Sequence, residues 1–326
     1  MNRRATSIGA SLLLAAGLAV GGCSGGGSTS AGPACSAKTG KAVAASSPVA
    51  ATGKPAAGWT LPGADLANTR DVASAITSSN VAKLGMAWTV SLRTSTAHSD
   101  GAYATTPVIV NGVVYVQDLQ SNVMAISLAT GRVLWKLPVG GHQGHENDGL
   151  LTENAKPGSH VGLPAKFCLE PSIFGGIETQ LASNGSTTFA AVNDLALPAS
   201  ATGYTAGVAA DLAAVVKATG EMVAVNQDTG TVEWDTPIPS SPYGAATVTN
   251  DVVFTTTFHG DLYALDAGSG KILLKTPLSA GTNAPVAVDG DYVIAGAGVS
   301  LVPSQQRMII AYKLGATGKL PDTVGS

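Results

Sequence analysis

The stretch PVIVNGVVYVQDLQSNVMAISLATGRVLWKLPV, from Pro107 to Val139, decides the fold because the chain repeats it. The second copy is ATVTNDVVFTTTFHGDLYALDAGSGKILLKTPL, from Ala246 to Leu278, and the two copies align without a gap. Residues of matching type occupy equivalent places: Asn111 and Asn250, Tyr115 and Phe254, Ala125 and Ala264, Gly131 and Gly270. A repeat of this kind indicates that one structural unit is used more than once.

Each copy predicts short antiparallel strands. Runs of Val, Ile, Tyr and Phe alternate with turn pairs such as Asn111-Gly112 and Gly260-Asp261, a pattern typical of hairpins. One copy therefore predicts about four strands. Because one four-stranded sheet cannot bury both of its faces, such units pack face to face around an axis. The sequence predicts an all-β fold, a β-propeller of four-stranded antiparallel blades.

The segment before the first repeat resembles a known family. WTLPGADLANTRDVASAITSSNVAKLGMAWTVSL, from Trp59 to Leu92, is similar to the first segment of the pyrroloquinoline-quinone (PQQ) alcohol dehydrogenase superfamily. The residues that carry the likeness are Trp59, Gly63, Asp65, Asn68, Arg70, Asn80, Val81, Leu84 and Trp88. The resemblance implies that the strand from Ala87 to Leu92 joins the last blade. Non-catalytic relatives, including the outer-membrane assembly lipoprotein, share the repeat, so the likeness alone does not imply an enzyme.

Four blades are recognisable. They cover Ala102–Val139, Glu178–Asn193 with Gly220–Ile238, Gly244–Leu278, and Asn283–Leu314 with the N-terminal strand. The resemblance implies an eight-bladed ring, as in the superfamily's enzymes. With four blades recognisable, this chain is expected to lack several blades between Val139 and Glu178. The ring could close at four blades, stay open or be completed by association of chains, and we expect a partial or distorted ring.

The first 57 residues predict export and anchoring. Asn2-Arg3-Arg4, followed by the apolar run Ile8–Val20, is typical of a signal peptide, assigned to residues 1–22. Val20-Gly21-Gly22-Cys23 resembles the lipobox of bacterial lipoproteins, which implies a lipid on Cys23. The alternative is an ordinary signal peptide that leaves Cys23 as a free thiol. Residues 23–57 are rich in Gly, Ser, Ala and Thr and predict a disordered tether, which leaves residues 58–326 as the propeller domain.

The remaining cysteines and the tryptophans have structural interpretations. In an oxidising compartment Cys35 and Cys168 could form a disulfide. Trp135 and Trp234 follow the Gly131 and Gly230 turns at equal spacing, so together with Trp88 they are interpreted as blade-packing residues. Sandwiching a quinone is the alternative role for such side chains.

Two long interruptions of the repeats, Gly140–Gly176 and Asp194–Thr219, are where a site is expected. The first carries the densest cluster of metal-capable side chains: His142, His145, Glu146 and Asp148. Their spacing matches no established zinc signature, so they are interpreted as a polar loop. Glu178, after two glycines, is the candidate for a carboxylate facing a central channel. The second interruption predicts a short helix that ends at Gly220.

The composition of the chain excludes nucleic-acid binding as its function. Charged residues make up 12% of the chain and the net charge is −3, which leaves no basic surface for nucleic acid.

The functional prediction is an exported, membrane-anchored, non-catalytic binding or scaffold module without a cofactor, whose partner is an envelope protein or a small ligand. The alternative implied by the resemblance is a PQQ- and Ca²⁺-dependent alcohol or sugar dehydrogenase, in which Ca²⁺ polarises the quinone and an Asp acts as base. No Asp or Asn of the chain could be assigned to those roles. A third hypothesis is a decayed relative that retains no activity.

Overall fold

The computed structural model describes residues 58–92, 105–117, 123–137, 167–169, 174–200, 203–204, 214–300 and 305–321. These residues form strands, apart from a 3-10 turn at Val81–Lys83, one helical turn at 214–217 and connecting segments. The strands, in chain order, are β1 (Leu84–Ser91), β2 (Val108–Val110), β3 (Val113–Gln117), β4 (Val123–Ser127), β5 (Val133–Leu137), β6 (Phe167–Leu169), β7 (Ala182–Ser183), β8 (Thr187–Asp194), β9 (Leu197–Ser200), β10 (Gly203–Tyr204), β11 (Thr219–Asn226), β12 (Val232–Ile238), β13 (Thr247–Thr249), β14 (Val252–Thr256), β15 (Asp261–Asp266), β16 (Ile272–Pro277), β17 (Ala287–Asp289), β18 (Tyr292–Ala297) and β19 (Met308–Leu314).

Sixteen of these strands form four antiparallel sheets of four. We call them blade 1 (β2, β3, β4, β5), blade 2 (β7, β8, β11, β12), blade 3 (β13, β14, β15, β16) and blade 4 (β17, β18, β19, β1). A separate three-stranded sheet has the order β10, β9, β6. The four sheets are arranged like propeller blades but are not closed into a ring, so the predicted fold class is confirmed and the ring is open.

The N-terminal strand completes the last blade. β1 pairs antiparallel with β19 along its whole length, from Leu84 opposite Leu314 to Ser91 opposite Met308. The prediction that a strand from the start of the propeller domain supplies the outermost strand of blade 4 is therefore confirmed.

The repeat in sequence is a repeat in geometry. The hairpin residues Asn111 and Gly112 both have positive φ, 51° and 74°, as the turn between two closely paired strands requires, and Asn250 has a φ of 51° in the second copy. Every blade also has an alanine in the strand beside the outermost one, directly opposite a bulky residue. These pairs are Ala125 and Trp135, Ala224 and Trp234, Ala264 and Leu274, and Ala311 and Trp88.

Side-chain hydrogen bonds fix the order of the blades. The indole Nε1 of Trp234 in blade 2 donates to the Ala267 carbonyl oxygen of blade 3 at 2.9 Å. The Tyr312 hydroxyl of blade 4 donates to the Pro277 carbonyl oxygen of blade 3 at 2.6 Å. Trp88 Nε1, also of blade 4, donates to Leu128 O of blade 1 at 2.7 Å. The blades therefore follow one another as 2, 3, 4 and 1 along an arc.

Trp135 does not share the environment of its equivalents. Trp234 is fully buried and Trp88 is 8% exposed, whereas Trp135 is 46% exposed. No described blade packs on Trp135, so its interpretation as a residue packed between blades stays a prediction. The physical reason for its exposure is its position: blade 1 is the last blade of the arc, and no described blade lies beyond it.

The helix predicted before Gly220 lies partly outside the described residues. A helical turn is described at 214–217, and Gly220 lies inside β11, opposite Asn193 and Ile238, so the prediction that the helix ends at Gly220 is wrong. A Cβ atom at Gly220 would lie 2.3 Å from Pro242 Cδ and 2.3 Å from Val192 O. The glycine therefore permits close packing within blade 2 and does not cap a helix.

Several predicted residues lie outside the described residues. These are Cys23, Cys35, His142, His145, Glu146 and Asp148, together with the signal peptide and the tether. Cys168 lies in β6, but its side chain is not described. The disulfide, the lipid anchor and the interpretation of the histidine-containing loop therefore stay predictions.

Candidate ligand-binding site at the centre of the blades

The N-terminal segment from residue 58 to residue 76 lies among the four blades. It shares a backbone hydrogen bond with each of them: Ile109 N to Trp59 O at 2.7 Å, Ser183 N to Thr69 O at 2.8 Å, Val248 N to Arg70 O at 2.8 Å, and Ala75 N to Gly290 O at 2.8 Å. We call this segment the central segment. Because it bonds to the first strand of blades 1, 2 and 3 and to the first hairpin of blade 4, it connects blades that are distant in sequence.

Arg70 is the principal side chain of the central segment. Its Nε donates to Ala246 O at 2.8 Å and its Nη1 to Pro62 O at 2.9 Å. Its Nη2 donates to Thr247 Oγ1 at 2.9 Å and to Val286 O at 3.3 Å. The guanidinium carbon lies 5.1 Å from the centre of the Trp59 ring, and the residue is 1% exposed. Burial lowers the pKa of Arg70 to about 10, so the group is still charged at neutral pH.

The other residues of the family-like motif build the turns that position Arg70. Asp65 accepts hydrogen bonds from the backbone N and the hydroxyl of Thr69, at 3.0 Å and 2.6 Å. Asn68 has a φ of 57°, and a Cβ at Gly63 would lie only 1.7 Å from the Asn68 side-chain oxygen. Asn80 Oδ1 accepts from Thr77 N at 2.8 Å. These described contacts give the motif a structural role.

A cavity of about 330 Å³ opens beside the central segment. It is lined by residues from the lead-in segments of all four blades, the stretches just before each first strand. The lining residues are Thr106 before β2, Glu178, Thr179 and Gln180 before β7, Tyr243 before β13, and Asn283 and Pro285 before β17. The cavity therefore lies where the four lead-in segments converge. It is close to Arg70, since Ala246 N donates to Gln180 O while Ala246 O accepts from Arg70.

The lining offers mainly hydrogen-bonding groups. Glu178 is exposed at the rim, and partial burial of its carboxyl group raises its pKa. Tyr243 is 9% exposed, and its hydroxyl donates to Phe174 O at 2.5 Å. Burial, and then the charge of Glu178, raise the pKa of Tyr243, so this hydroxyl is protonated at neutral pH. Thr179 Oγ1 and Asn283 Oδ1 are buried atoms without a hydrogen-bond partner in the described structure.

The sequence pointed to one of these residues and missed the others. Glu178 lies in the lining, as the glycines before it suggested. Thr179, Tyr243 and Asn283 were not singled out. A signal was present for Thr106 and Asn283, because Pro285-Val286 matches Pro107-Val108 in the repeat and marks the residues before the first strand as equivalent in blades 1 and 4.

The described lining does not fit a quinone held with calcium. Ca²⁺ takes six to eight oxygen ligands, and this lining offers one carboxylate, that of Glu178, beside the neutral amides of Gln180 and Asn283. In the described ranges there is no group of three or more His, Cys, Asp or Glu side chains that could hold a metal ion. None of the lining residues that the structure describes is cationic, so the carboxylates of PQQ would face Glu178 without a positive partner among them. Trp88 and Trp234, the buried tryptophans considered for a quinone sandwich, pack instead between blades.

A second group of carboxyl side chains lies on blade 2, outside the cavity. Burial, followed by the negative charges of Asp235 and Asp194, raises the pKa of Glu221 in β11 to about 7. Burial also raises the pKa of Asp235 in β12. Glu221 is therefore about half protonated at neutral pH, and it shares its surroundings with two other acids.

Replacing Glu221 with glutamine should stabilise the protein at pH 8 but not at pH 4. The pKa of about 7 in the folded state is above the ordinary value of 4.5, so the folded state holds a proton that the unfolded state releases. The contribution to stability is thus lost as the pH rises from 4.5 to 7. After a discount for solvent screening, we expect E221Q to gain roughly 1 kcal/mol at pH 8. Urea unfolding at both pH values measures this. D228N, on an exposed turn of the same blade, controls for the loss of one negative charge from the protein. An equal gain for E221Q at both pH values would contradict the prediction.

Known families match two parts of the chain. The model for the β-propeller domain of glucose/ethanol/alcohol dehydrogenases matches residues 59–154, which include the central segment, β1 and blade 1. The model for outer membrane protein assembly factor BamB matches residues 218–318, which include blade 3 and the strands β17, β18 and β19 of blade 4. The chain therefore carries PQQ-like β-propeller repeats, and their number is consistent with a shortened propeller.

The proteins similar to this chain include an assembly factor and an alcohol dehydrogenase. Outer membrane protein assembly factor BamB of Burkholderia pseudomallei (strain K96243) is 31% identical over 249 residues. The alignment covers 64% of this chain and 64% of that protein, so the chain spans just under two thirds of its relative. Among solved structures, the quinohemoprotein alcohol dehydrogenase from Comamonas testosteroni superimposes with a TM-score of 0.52 over 82% of both chains. At 14% sequence identity, this likeness concerns the fold alone.

Proposed function

We propose that this protein is an exported, lipid-anchored β-propeller that acts as a non-catalytic binding or scaffold module in the bacterial cell envelope. The observation that carries the proposal is the cavity where the four lead-in segments converge, because its described lining presents hydrogen-bond acceptors without a set of metal ligands. The 31% identity to an outer-membrane assembly factor supports a place in the envelope. None of the helical segments described is long and apolar enough to span a membrane.

The lining favours a ligand that donates hydrogen bonds. The carboxylate of Glu178 adds a negative charge at the rim, and the side chains of Gln180 and Asn283 add amide groups to the lining. Backbone N–H groups or a lysine side chain from a loop of an envelope protein would complement these acceptors. A small ligand that carries amino or amide groups has the same chemistry.

Photo-crosslinking in living cells tests whether the cavity binds such a partner. A crosslinking amino acid at Thr106 should give an adduct with an envelope protein, and the added substitution N283L should remove this adduct. The same amino acid at Ser269, on an exposed turn of blade 3, is the matched control. Calorimetric titration of the purified protein with PQQ and Ca²⁺ should show no binding. Stoichiometric PQQ binding with dye-linked oxidation of an alcohol or sugar would overturn the proposal.

Replacing Cys23 with serine should remove the lipid anchor. Cys23 follows Val20-Gly21-Gly22, the lipobox-like sequence, and its sulfur is the atom that would carry the lipid. We expect an alkyne-labelled fatty acid to be incorporated into the wild-type chain and not into C23S, and C23S to leave the membrane fraction. The control C35S should keep the label. A label that persists in C23S would contradict the lipid anchor.

A further inference from the structure

Two of the interfaces between blades are built in the same way. A tryptophan of the outermost strand of one blade lies on a glycine turn of the next blade. A Cβ at Gly131 would lie 2.6 Å from Trp88 Cγ, and a Cβ at Gly270 would lie 2.6 Å from Trp234 Cε3. In each case the indole N–H donates to the carbonyl three residues before the glycine, at Leu128 and at Ala267.

Each end of the arc carries one side of this contact without its partner: a tryptophan at the blade 1 end and a glycine turn at the blade 2 end. At the blade 1 end, Trp135 is 46% exposed, and its neighbours Val133 and Leu134 are 41% and 38% exposed. At the blade 2 end, Gly230 is exposed, and no described heavy atom outside its chain neighbours lies within 4 Å of the place where its Cβ would be.

The open turn at Gly230 has the same shape as the occupied turns. Gly230 has a φ of 67°, against 70° at Gly131 and 71° at Gly270. Three residues before Gly230, Gln227 occupies the place of Leu128 and Ala267. The backbone of the Gly230 turn therefore already has the conformation that the other two turns have with a tryptophan packed on them.

We propose that Trp135 of one copy of this chain docks on the Gly230 turn of a second copy, with the indole N–H donating to the carbonyl oxygen of Gln227. Two copies related by a twofold axis would make this contact twice, and neither copy would keep an open blade end. The exposed side chains of Val133 and Leu134 lie beside the docking tryptophan and add apolar area at the same end of the arc. The inference does not depend on the cavity or on the lipid anchor.

The sequence favours a second copy over the segment that comes after blade 1. In each of these three glycine turns the residue before the glycine carries a hydroxyl group: Thr130-Gly131, Thr229-Gly230 and Ser269-Gly270. Between Leu137 and Phe167 the sequence has no Ser-Gly or Thr-Gly pair. This stretch therefore does not offer Trp135 the turn on which its equivalents lie.

Sedimentation of the purified full-length chain over a range of concentrations tests the association. The wild-type chain should form a dimer, and W135A should weaken the dimer by about 30-fold or more, as truncation of an interface tryptophan does. G230N should do the same. Asparagine tolerates a positive φ, whereas its Cβ would occupy the space that the indole needs. The controls I272A, on the exposed outer strand of blade 3, and G290N, on an open turn with a φ of 57°, should leave the dimer intact. Circular dichroism checks that each variant is folded.

Crosslinking between labelled copies identifies the surface that covers Trp135. A photo-reactive amino acid replaces Leu134, beside the intact Trp135, in an unlabelled chain, which is mixed in dilute solution with a ¹⁵N-labelled wild-type chain and then concentrated. We expect a crosslink from position 134 of the unlabelled copy to the peptide around Gly230 of the labelled copy. Crosslinks confined to the same copy, to the Gly230 turn or to residues 138–166, would overturn the proposal, as would a monomer at all concentrations.

Discussion

The protein with Arg70 replaced by methionine is expected to lose about 3–5 kcal/mol of its free energy of unfolding. The buried guanidinium donates four hydrogen bonds, to Pro62 O, Ala246 O, Thr247 Oγ1 and Val286 O. Methionine has a similar length but no donor, so these oxygens would lack that partner in a site that water does not reach. The contact with the Trp59 ring would also lose its charge.

Urea unfolding at neutral pH measures this loss. R132M removes the same kind of side chain from an exposed turn of blade 1, and should change the free energy of unfolding by less than about 0.5 kcal/mol. R70K keeps the charge but replaces the planar fork with a single nitrogen, so it should recover less than half of the loss. A loss below about 1 kcal/mol for R70M would show that the central segment does not hold the blades together.

Replacing Trp234 with alanine is expected to cost about 3–5 kcal/mol. The side chain is fully buried between blades 2 and 3, its Nε1 donates to Ala267 O, and its ring lies against the Gly270 turn and 5.9 Å from the Phe189 ring centre. Alanine would leave a cavity as large as the indole, together with an unpaired carbonyl group.

V232A, two residues earlier on the same strand, is the matched control. Val232 is 47% exposed, so its truncation should cost less than about 1 kcal/mol. Guanidinium unfolding, followed by circular dichroism because W234A removes a fluorophore, gives both values. Equal losses for the two variants would mean that the contact between blades 2 and 3 contributes little to stability.

The blades were predictable because their determinants are local and repeated. Asn111-Gly112 sets a hairpin turn, and Ala125 opposite Trp135 recurs as Ala224 opposite Trp234, so one copy predicts the next. The pairing of β1 with β19 was also foreseen, although it came from a resemblance and not from the pattern of apolar residues.

The cavity and the ends of the arc were not predictable in the same way. Thr106, Thr179, Tyr243 and Asn283 converge from segments far apart in sequence, and each is an ordinary polar or aromatic residue before a strand. The exposure of Trp135 depends on the spatial neighbours of blade 1, whereas its local sequence matches that of the buried Trp234. The role of Arg70 depends on acceptors from three separate stretches of chain.

The pairing of β1 with β19 also has a kinetic consequence. Leu84 pairs with Leu314, so the two strands lie about 230 residues apart in the chain. Contacts this distant in sequence form late, because a long loop must close first. A nascent chain that stops before Met308 would keep both β1 and β18 as unpaired sheet edges, which are the surfaces on which β proteins aggregate.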